Sequence, residues 1–183
     1  DFGVWGYLYP GGQCIDAVQG GSAALCGVGS GADALVNGNI MKKDVSFYEV
    51  YGKATYTFND YFALGGSVFY SPNFLNFGTD GTYASVNAKI TAPSNLFGSS
   101  GVGAYVSGEF GRQWLGTTDA FYALTLADYN TWNIGVSFTY KVFTLDLRYS
   151  DTDLTKEACN AITSDFTAAL NPATGTYQSK WCG

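Results

Sequence analysis

Apolar and polar residues alternate along several segments of the chain, and the alternation is clearest between residues 132 and 149. From Trp132 to Tyr140 the even positions are apolar or aromatic, whereas the odd positions hold Asn, Gly, Ser and Thr. After a tight reversal the alternation resumes from Phe143 to Tyr149. Because side chains two residues apart share one face of a β-strand, this stretch predicts two antiparallel strands joined by a short turn.

The same two-residue period predicts seven strands in all. No segment has a helical period over its length, although Asp165–Leu170 is compatible with a helical turn. The chain is therefore predicted to be all-β, with strands at Phe2–Tyr9, Val45–Phe58, Tyr61–Tyr70, Thr82–Ala92, Val102–Phe110, Trp132–Tyr140 and Phe143–Tyr149.

The predicted connections alternate in length along the chain. Reversals at 58–60 and 140–143 are tight and 93–101 is short to medium, whereas the other loops are long: 10–44, 71–81, 111–130 and 151–183. Outer-membrane barrels have short periplasmic turns and longer extracellular loops. We therefore predict one domain over residues 1–183, an antiparallel up-and-down transmembrane β-barrel with extracellular long loops.

The two rows of each strand are assigned to the two sides of this barrel wall. A Lys or Arg that faces lipid at the bilayer midplane costs about 2–4 kcal/mol, so the charged row is expected to face the lumen. An ordinary soluble sheet, with its charged face in water, is the alternative. The predicted lumen-lining residues are Glu49, Lys53, Lys89, Glu109, Asp146 and Arg148. The predicted lipid-facing residues are Val50, Leu64, Val68, Val86, Ile90, Val106, Trp132, Ile134, Val136, Phe138, Leu145 and Leu147.

Composition narrows the function classes. The net charge of −6 argues against a nucleic-acid partner, which requires a basic face. The chain contains no His, which excludes Ser-His-Asp catalysis, and we predict that it is not an enzyme. The acidic triplet at 151–153 offers too few oxygens for Ca²⁺, and the glycine-rich run at 20–39 is predicted to be a flexible loop. No cofactor and no metal are expected.

Four cysteines lie in the two longest predicted loops, as the pairs Cys14 with Cys26 and Cys159 with Cys182. Without His or a Cys-x-x-Cys motif, a zinc site is not expected. Two local disulfides fit an oxidising compartment, and four free thiols in a reducing compartment are the alternative.

Several phrases of the sequence resemble the TorF family of bacterial outer-membrane porins. They are "WGYLYPGG" (5–12), "SFYEVYGKATYTF" (46–58), "LGGSVFYSPNF" (64–74), "WNIGVSFTYKVFTLDLRYSDTDL" (132–154) and the cysteine pair that follows. The resemblance covers roughly the whole chain, corresponds to the later part of such a protein, and implies an outer-membrane β-barrel with a pore. Upstream strands and the closing strand of that family have no counterpart here. Because single-chain bacterial barrels have an even strand number, we expect a fragment of a larger barrel, or a barrel completed by other chains.

The leading functional hypothesis is passive diffusion of small hydrophilic solutes through a pore in the bacterial outer membrane. Outer-membrane lipid and lipopolysaccharide would surround the barrel, and Lys42–Lys43 are expected to be solvated or to meet lipopolysaccharide phosphates. The second hypothesis is a plugged or structural barrel that acts as an assembly or interaction partner. The third is a soluble secreted β-barrel that binds a small ligand. Association into a homo-oligomer, or with another membrane protein, is left open.

Overall fold

Seven long strands dominate the computed structural model, which describes residues 1–9, 45–120, 123–163, 169–171 and 173–178. A 3₁₀ turn at Phe74–Asn76 and a short helix, α1 (Lys156–Thr163), accompany them. A separate two-stranded hairpin consists of β8 (Ala169–Asn171) and β9 (Thr176–Gln178). The long strands are β1 (Phe2–Tyr7), β2 (Phe47–Asn59), β3 (Phe62–Ser71), β4 (Gly81–Thr91), β5 (Val102–Leu115), β6 (Tyr129–Tyr140) and β7 (Phe143–Thr152).

The seven long strands form one sheet in sequence order, and every neighbouring pair is antiparallel. This arrangement confirms the predicted all-β class, the seven predicted strands and their up-and-down order, whereas the hairpin β8–β9 was not predicted. Among the described residues the sheet is open, because β1 and β7 each pair on one side only. An antiparallel meander also fixes the strand directions, so β1 and β7 run the same way.

Two of the connections are two-residue turns, as predicted. At 60–61 the side-chain oxygen of Asn59 accepts hydrogen bonds from the backbone N–H groups of Tyr61 and Phe62, both at 2.9 Å. At 141–142 Lys141 has φ of 53°, the left-handed conformation that tight hairpins require. Each turn therefore has a local cause, either a side chain that replaces a turn hydrogen bond or a left-handed residue.

The contrast in loop length is weaker than predicted. β5 continues to Leu115 and β6 starts at Tyr129, so the predicted loop 111–130 shrinks to 116–128. The connection 92–101, predicted to be the shorter kind, is about as long as 72–80. The predicted loop 10–44, with Lys42–Lys43, lies outside the described residues, as does most of 151–183 beyond α1, β8 and β9.

The chain segment after β7 differs from the prediction. The predicted helical turn at Asp165–Leu170 is wrong for its last two residues, because Ala169 and Leu170 pair with β9 as a strand. A helix occurs earlier instead, and the Thr155 hydroxyl caps it by accepting from the N–H of Ala158 at 3.2 Å. Within the part of the chain that the structure describes, no helix is both long enough and apolar enough to cross a membrane.

The sheet has no buried apolar core. Among the described residues the buried apolar side chains are Phe77, Leu126 and Cys159, and all three lie outside the seven strands. The apolar row of the sheet is instead open: Ile134 and Leu145 are each 59% exposed, and Trp132, Val136 and Phe138 are half-buried. A soluble sheet would cover such a face with a second layer.

Candidate functional site

Register places the predicted charged residues on one face of the sheet. Lys89 pairs with Ser107, Glu109 with Asn133 and Asp146 with Ser137, and directly paired residues point to the same side. We call the side that carries Glu49, Lys53, Lys89, Glu109, Asp146 and Arg148 the polar face. The opposite side, the apolar face, carries Val50, Leu64, Val68, Val86, Ile90, Val106, Trp132, Ile134, Val136, Phe138, Leu145 and Leu147.

Arg148 is the centre of a hydrogen-bonded cluster at the β7 edge of the polar face. Its guanidinium forms an ion pair with Asp146 at 3.0 Å, and it donates to the Ser107 hydroxyl at 2.8 Å and to the side-chain oxygen of Asn133. Asp146 also accepts from the Ser137 hydroxyl at 2.6 Å. Both charges of this pair are therefore fixed against the wall, and their sum is zero.

The two glutamates of the polar face accept hydrogen bonds from tyrosines. The Tyr83 hydroxyl lies 2.9 Å from a carboxylate oxygen of Glu109 and 3.1 Å from the Thr131 hydroxyl. The Tyr7 hydroxyl lies 3.1 Å from Glu49. These contacts orient the two carboxylates, and a phenol, which is an uncharged donor, does not balance a carboxylate charge.

The two lysines of the polar face lie over aromatic rings. The ammonium of Lys53 is 5.0 Å from the ring centroids of both Tyr51 and Phe69, and that of Lys89 is 4.1 Å from the Tyr105 ring. These distances suit cation–π contacts. Neither lysine forms an ion pair with a described carboxylate, so a direct ionic partner balances neither of them.

Glycines on the polar face give room to large side chains of the next strand. A Cβ at Gly111 would come 2.5 Å from Cζ of Tyr83, and one at Gly135 would come 3.1 Å from the guanidinium carbon of Arg148. Gly3 stands in the same relation to Tyr51, with its added Cβ 3.1 Å from the ring. The large side chains therefore lie flat along the sheet and do not project away from it, as when an aromatic ring covers a strand glycine.

Loop 72–80 folds over the polar face at the end where the longer loops lie. The Phe74 ring is 5.3 Å from the Phe47 ring in an edge contact, and it also lies against Gly81. The loop is also bonded to the neighbouring loop 116–128, because the Gly116 N–H donates to the side-chain hydroxyl of Thr79 at 3.0 Å. Phe77 and Thr79 are buried as a result.

The acidic triplet at 151–153 is engaged with its own neighbours. Asp153 accepts from the backbone N–H of Asn130 at 2.7 Å and from its side-chain amide at 2.6 Å, and these bonds hold the pKa of Asp153 below its usual range. Asp151 accepts from the Tyr149 hydroxyl. Among the described residues no three His, Cys, Asp or Glu side chains are grouped to hold a metal ion.

Cys159 is buried within α1 and is disulfide-bonded. The other cysteines of the predicted pairs, Cys14, Cys26 and Cys182, lie outside the described residues. Which cysteine pairs with which therefore stays a prediction.

The sequence pattern assigns several further residues to the polar face but predicts no function for them. Tyr83, Ser107 and Asn133 each bind a charged residue, and Tyr105 supports Lys89. Alternation alone assigns a residue to a face. The partner it contacts depends on cross-strand register, which the sequence does not reveal.

Comparison with known proteins adds no family to this geometry: no protein-family model, no curated protein and no solved structure matches the chain. The resemblance to TorF porins therefore stays a prediction.

Proposed function

We propose that the chain forms the wall of a bacterial outer-membrane β-barrel through which small hydrophilic solutes diffuse passively. The observation that carries the proposal is the uncovered apolar face. Val86, Ile134 and Leu147 are 57–59% exposed in the middle of their strands, in a sheet that buries almost none of its apolar side chains. A contiguous apolar surface of this kind is unfavourable in water and favourable in lipid.

Aromatic residues at both ends of the apolar face support the same proposal. Near the turns 60–61 and 141–142 the exposed rings include Tyr56, Phe58 and Phe143, and near the loop end they include Tyr48 and Trp114. Aliphatic side chains lie between these two groups. Rings at both edges of an apolar band are typical of membrane barrels, where they meet the lipid head groups.

The polar face suits the lining of a water-filled lumen. Its large side chains lie flat over glycines, as Tyr83 does over Gly111 and Arg148 over Gly135, and so leave the space in front of the sheet open. Its charged groups carry both signs, and one opposite pair, Asp146 with Arg148, is already neutralised. Such a lining favours the passage of small hydrophilic solutes. It gives no strong preference for cations over anions, or for anions over cations.

A barrel of this kind needs further strands. The free edges of β1 and β7 would leave unpaired backbone groups in lipid, which is prohibitively costly. Because β1 and β7 run in the same direction, antiparallel closure requires an odd number of additional strands between them. We propose that residues outside the described sheet, or other chains, provide these strands.

A plugged or structural barrel is the second candidate, and loop 72–80 favours it. This loop covers the loop end of the polar face, where Ser71, Gly81 and Gln113 are buried. If the remaining loops close this end completely, the barrel would serve as an assembly or interaction partner in the outer membrane.

Reconstitution of the intact protein in planar bilayers and liposomes tests the proposal. We expect insertion, ohmic ion conductance and passage of small neutral solutes. Insertion without any conductance would favour the plugged barrel. An intact protein that stays monomeric and soluble without detergent would refute both membrane functions and favour the soluble ligand-binding barrel.

A further inference from the structure

A cleft of about 400 Å³ lies on the polar face, between β4 and β7. Lys89 and Glu109 line it, together with Ser107, Asn133 and Arg148. Lys89 and Glu109 carry opposite charges and lie on neighbouring strands, yet no ion pair joins them. Two opposite charges that share one cleft without neutralising each other need an explanation.

The two charged groups are held by partners on opposite sides. The ammonium of Lys89 lies over Tyr105, which is near the start of β5, at the end of the sheet that carries the turns 60–61 and 141–142. The carboxylate of Glu109 accepts from Tyr83, which is nearer the loop end of β4. The aromatic partners therefore separate the charges along the strand direction, and a gap remains between them.

Neutral polar groups line the gap. Ser107 and Asn133 both contact the guanidinium of Arg148, whose own charge is balanced by Asp146 at 3.0 Å. The cleft as a whole is thus electrically neutral, with one positive group and one negative group placed apart. A net-neutral solute with separated charges matches this arrangement, whereas a simple anion or cation leaves one protein charge without a partner.

We infer that this cleft binds small zwitterionic solutes of the α-amino acid class, with the solute carboxylate at Lys89 and its ammonium at Glu109. The inference rests on the proposed pore, because it takes the polar face to be the water-filled side of the wall. It makes the cleft a specificity site within the lumen, where zwitterions are favoured over other solutes of equal size.

Four solutes of one size and different charge test the inference: alanine, lactate, alaninamide and lactamide, which are zwitterionic, anionic, cationic and neutral. Binding to the intact protein in detergent micelles is followed through the backbone amide signals of Ser107 and Asn133. Exposed charge pairs contribute modestly, so we expect alanine to bind about fourfold or more tightly than lactamide. Equal affinities for alanine and lactamide would overturn the inference.

Charge reversal separates electrostatic recognition from damage to the fold. Lys89→Glu should weaken alanine binding at least about twofold and favour alaninamide, and the double variant Lys89→Glu/Glu109→Lys should restore alanine binding. A double variant as poor as the single one would contradict the assignment. Lys53→Gln, which removes a polar-face lysine outside the cleft, should leave alanine binding unchanged.

Ion conductance, measured after the same protein is reconstituted in planar bilayers, distinguishes this inference from the proposed function. Conductance without a preference for alanine removes the zwitterion site and leaves the pore. Alanine binding without conductance leaves the cleft as a ligand site and removes the pore.

Discussion

The substitution Gly111→Ala tests how the polar face is built. An alanine Cβ there would lie 2.5 Å from Cζ of Tyr83, so either the ring leaves the wall or the backbone shifts. If the ring leaves, Tyr83 loses its bonds to Glu109 and Thr131, at about 0.5–1.5 kcal/mol each. If the backbone shifts, overpacking costs about 1–3 kcal/mol.

These costs exceed the benefit of replacing a strand glycine, which is about 0.5–1 kcal/mol. We therefore expect Gly111→Ala to lower the free energy of unfolding by about 1–2 kcal/mol. Urea titration of the intact protein in detergent, followed by tryptophan fluorescence, measures this change. Gly52→Ala is the matched control, because no atom lies within 4 Å of its added Cβ.

A double variant sharpens the test. In Tyr83→Ala the ring is gone, so adding Gly111→Ala should cost nothing further, and the two substitutions should be strongly non-additive. The reasoning is refuted if Gly111→Ala is as harmless as Gly52→Ala, or if its cost persists in the Tyr83→Ala background.

Three further predictions concern the lumen and its loops. Arg148→Gln leaves Asp146 unpaired on the polar face and should shift bilayer selectivity toward cations about two- to fivefold, whereas Arg112→Gln on the apolar face should not. Phe74→Ala should raise single-channel conductance by opening the loop end, whereas Phe97→Ala, whose ring packs on Phe138 of the apolar face, should leave conductance unchanged. Asp153→Ala should lower stability at neutral pH. Because the folded pKa of Asp153 is depressed, this stabilisation is complete above the unfolded value of about 3.9 and is lost as pH falls through the folded pKa, so wild type and variant should converge in acid.

Much of the sheet could be predicted because period-two alternation determines both the strand and its faces. The pattern runs without interruption from Trp132 to Tyr140 and from Phe143 to Tyr149, and both strands were placed within a few residues. It breaks at Arg112, a charged residue on the apolar row, and there the predicted strand ended too early. Arg112 is tolerated because it lies near the loop end, over Trp114 and paired with Asp128.

The helix α1 and the contacts of the polar face could not be predicted, for different reasons. α1 has eight residues, too few for a helical period to stand out against the loop sequence around it. The contact of Tyr83 with Gly111 depends on register, since it requires Ser85 to lie opposite Gly111. The separation of Lys89 from Glu109 depends on Tyr105 and Tyr83. Each ring lies on the strand next to the charge that it contacts, so spacing along one strand does not predict the contact.

The environment of successive side chains along β6 shows whether the sheet is a membrane wall. Nitroxide labels are placed one at a time at positions 132–140 of the intact protein in liposomes, and their collisions with lipid-soluble oxygen and with a water-soluble nickel chelate are measured. A membrane wall predicts high oxygen accessibility at Trp132, Ile134, Val136 and Phe138, and high nickel accessibility at Asn133 and Thr139, which are only partly buried on the polar face. Labels at the even positions that are shielded from both reagents, or reached by nickel alone, would contradict the account.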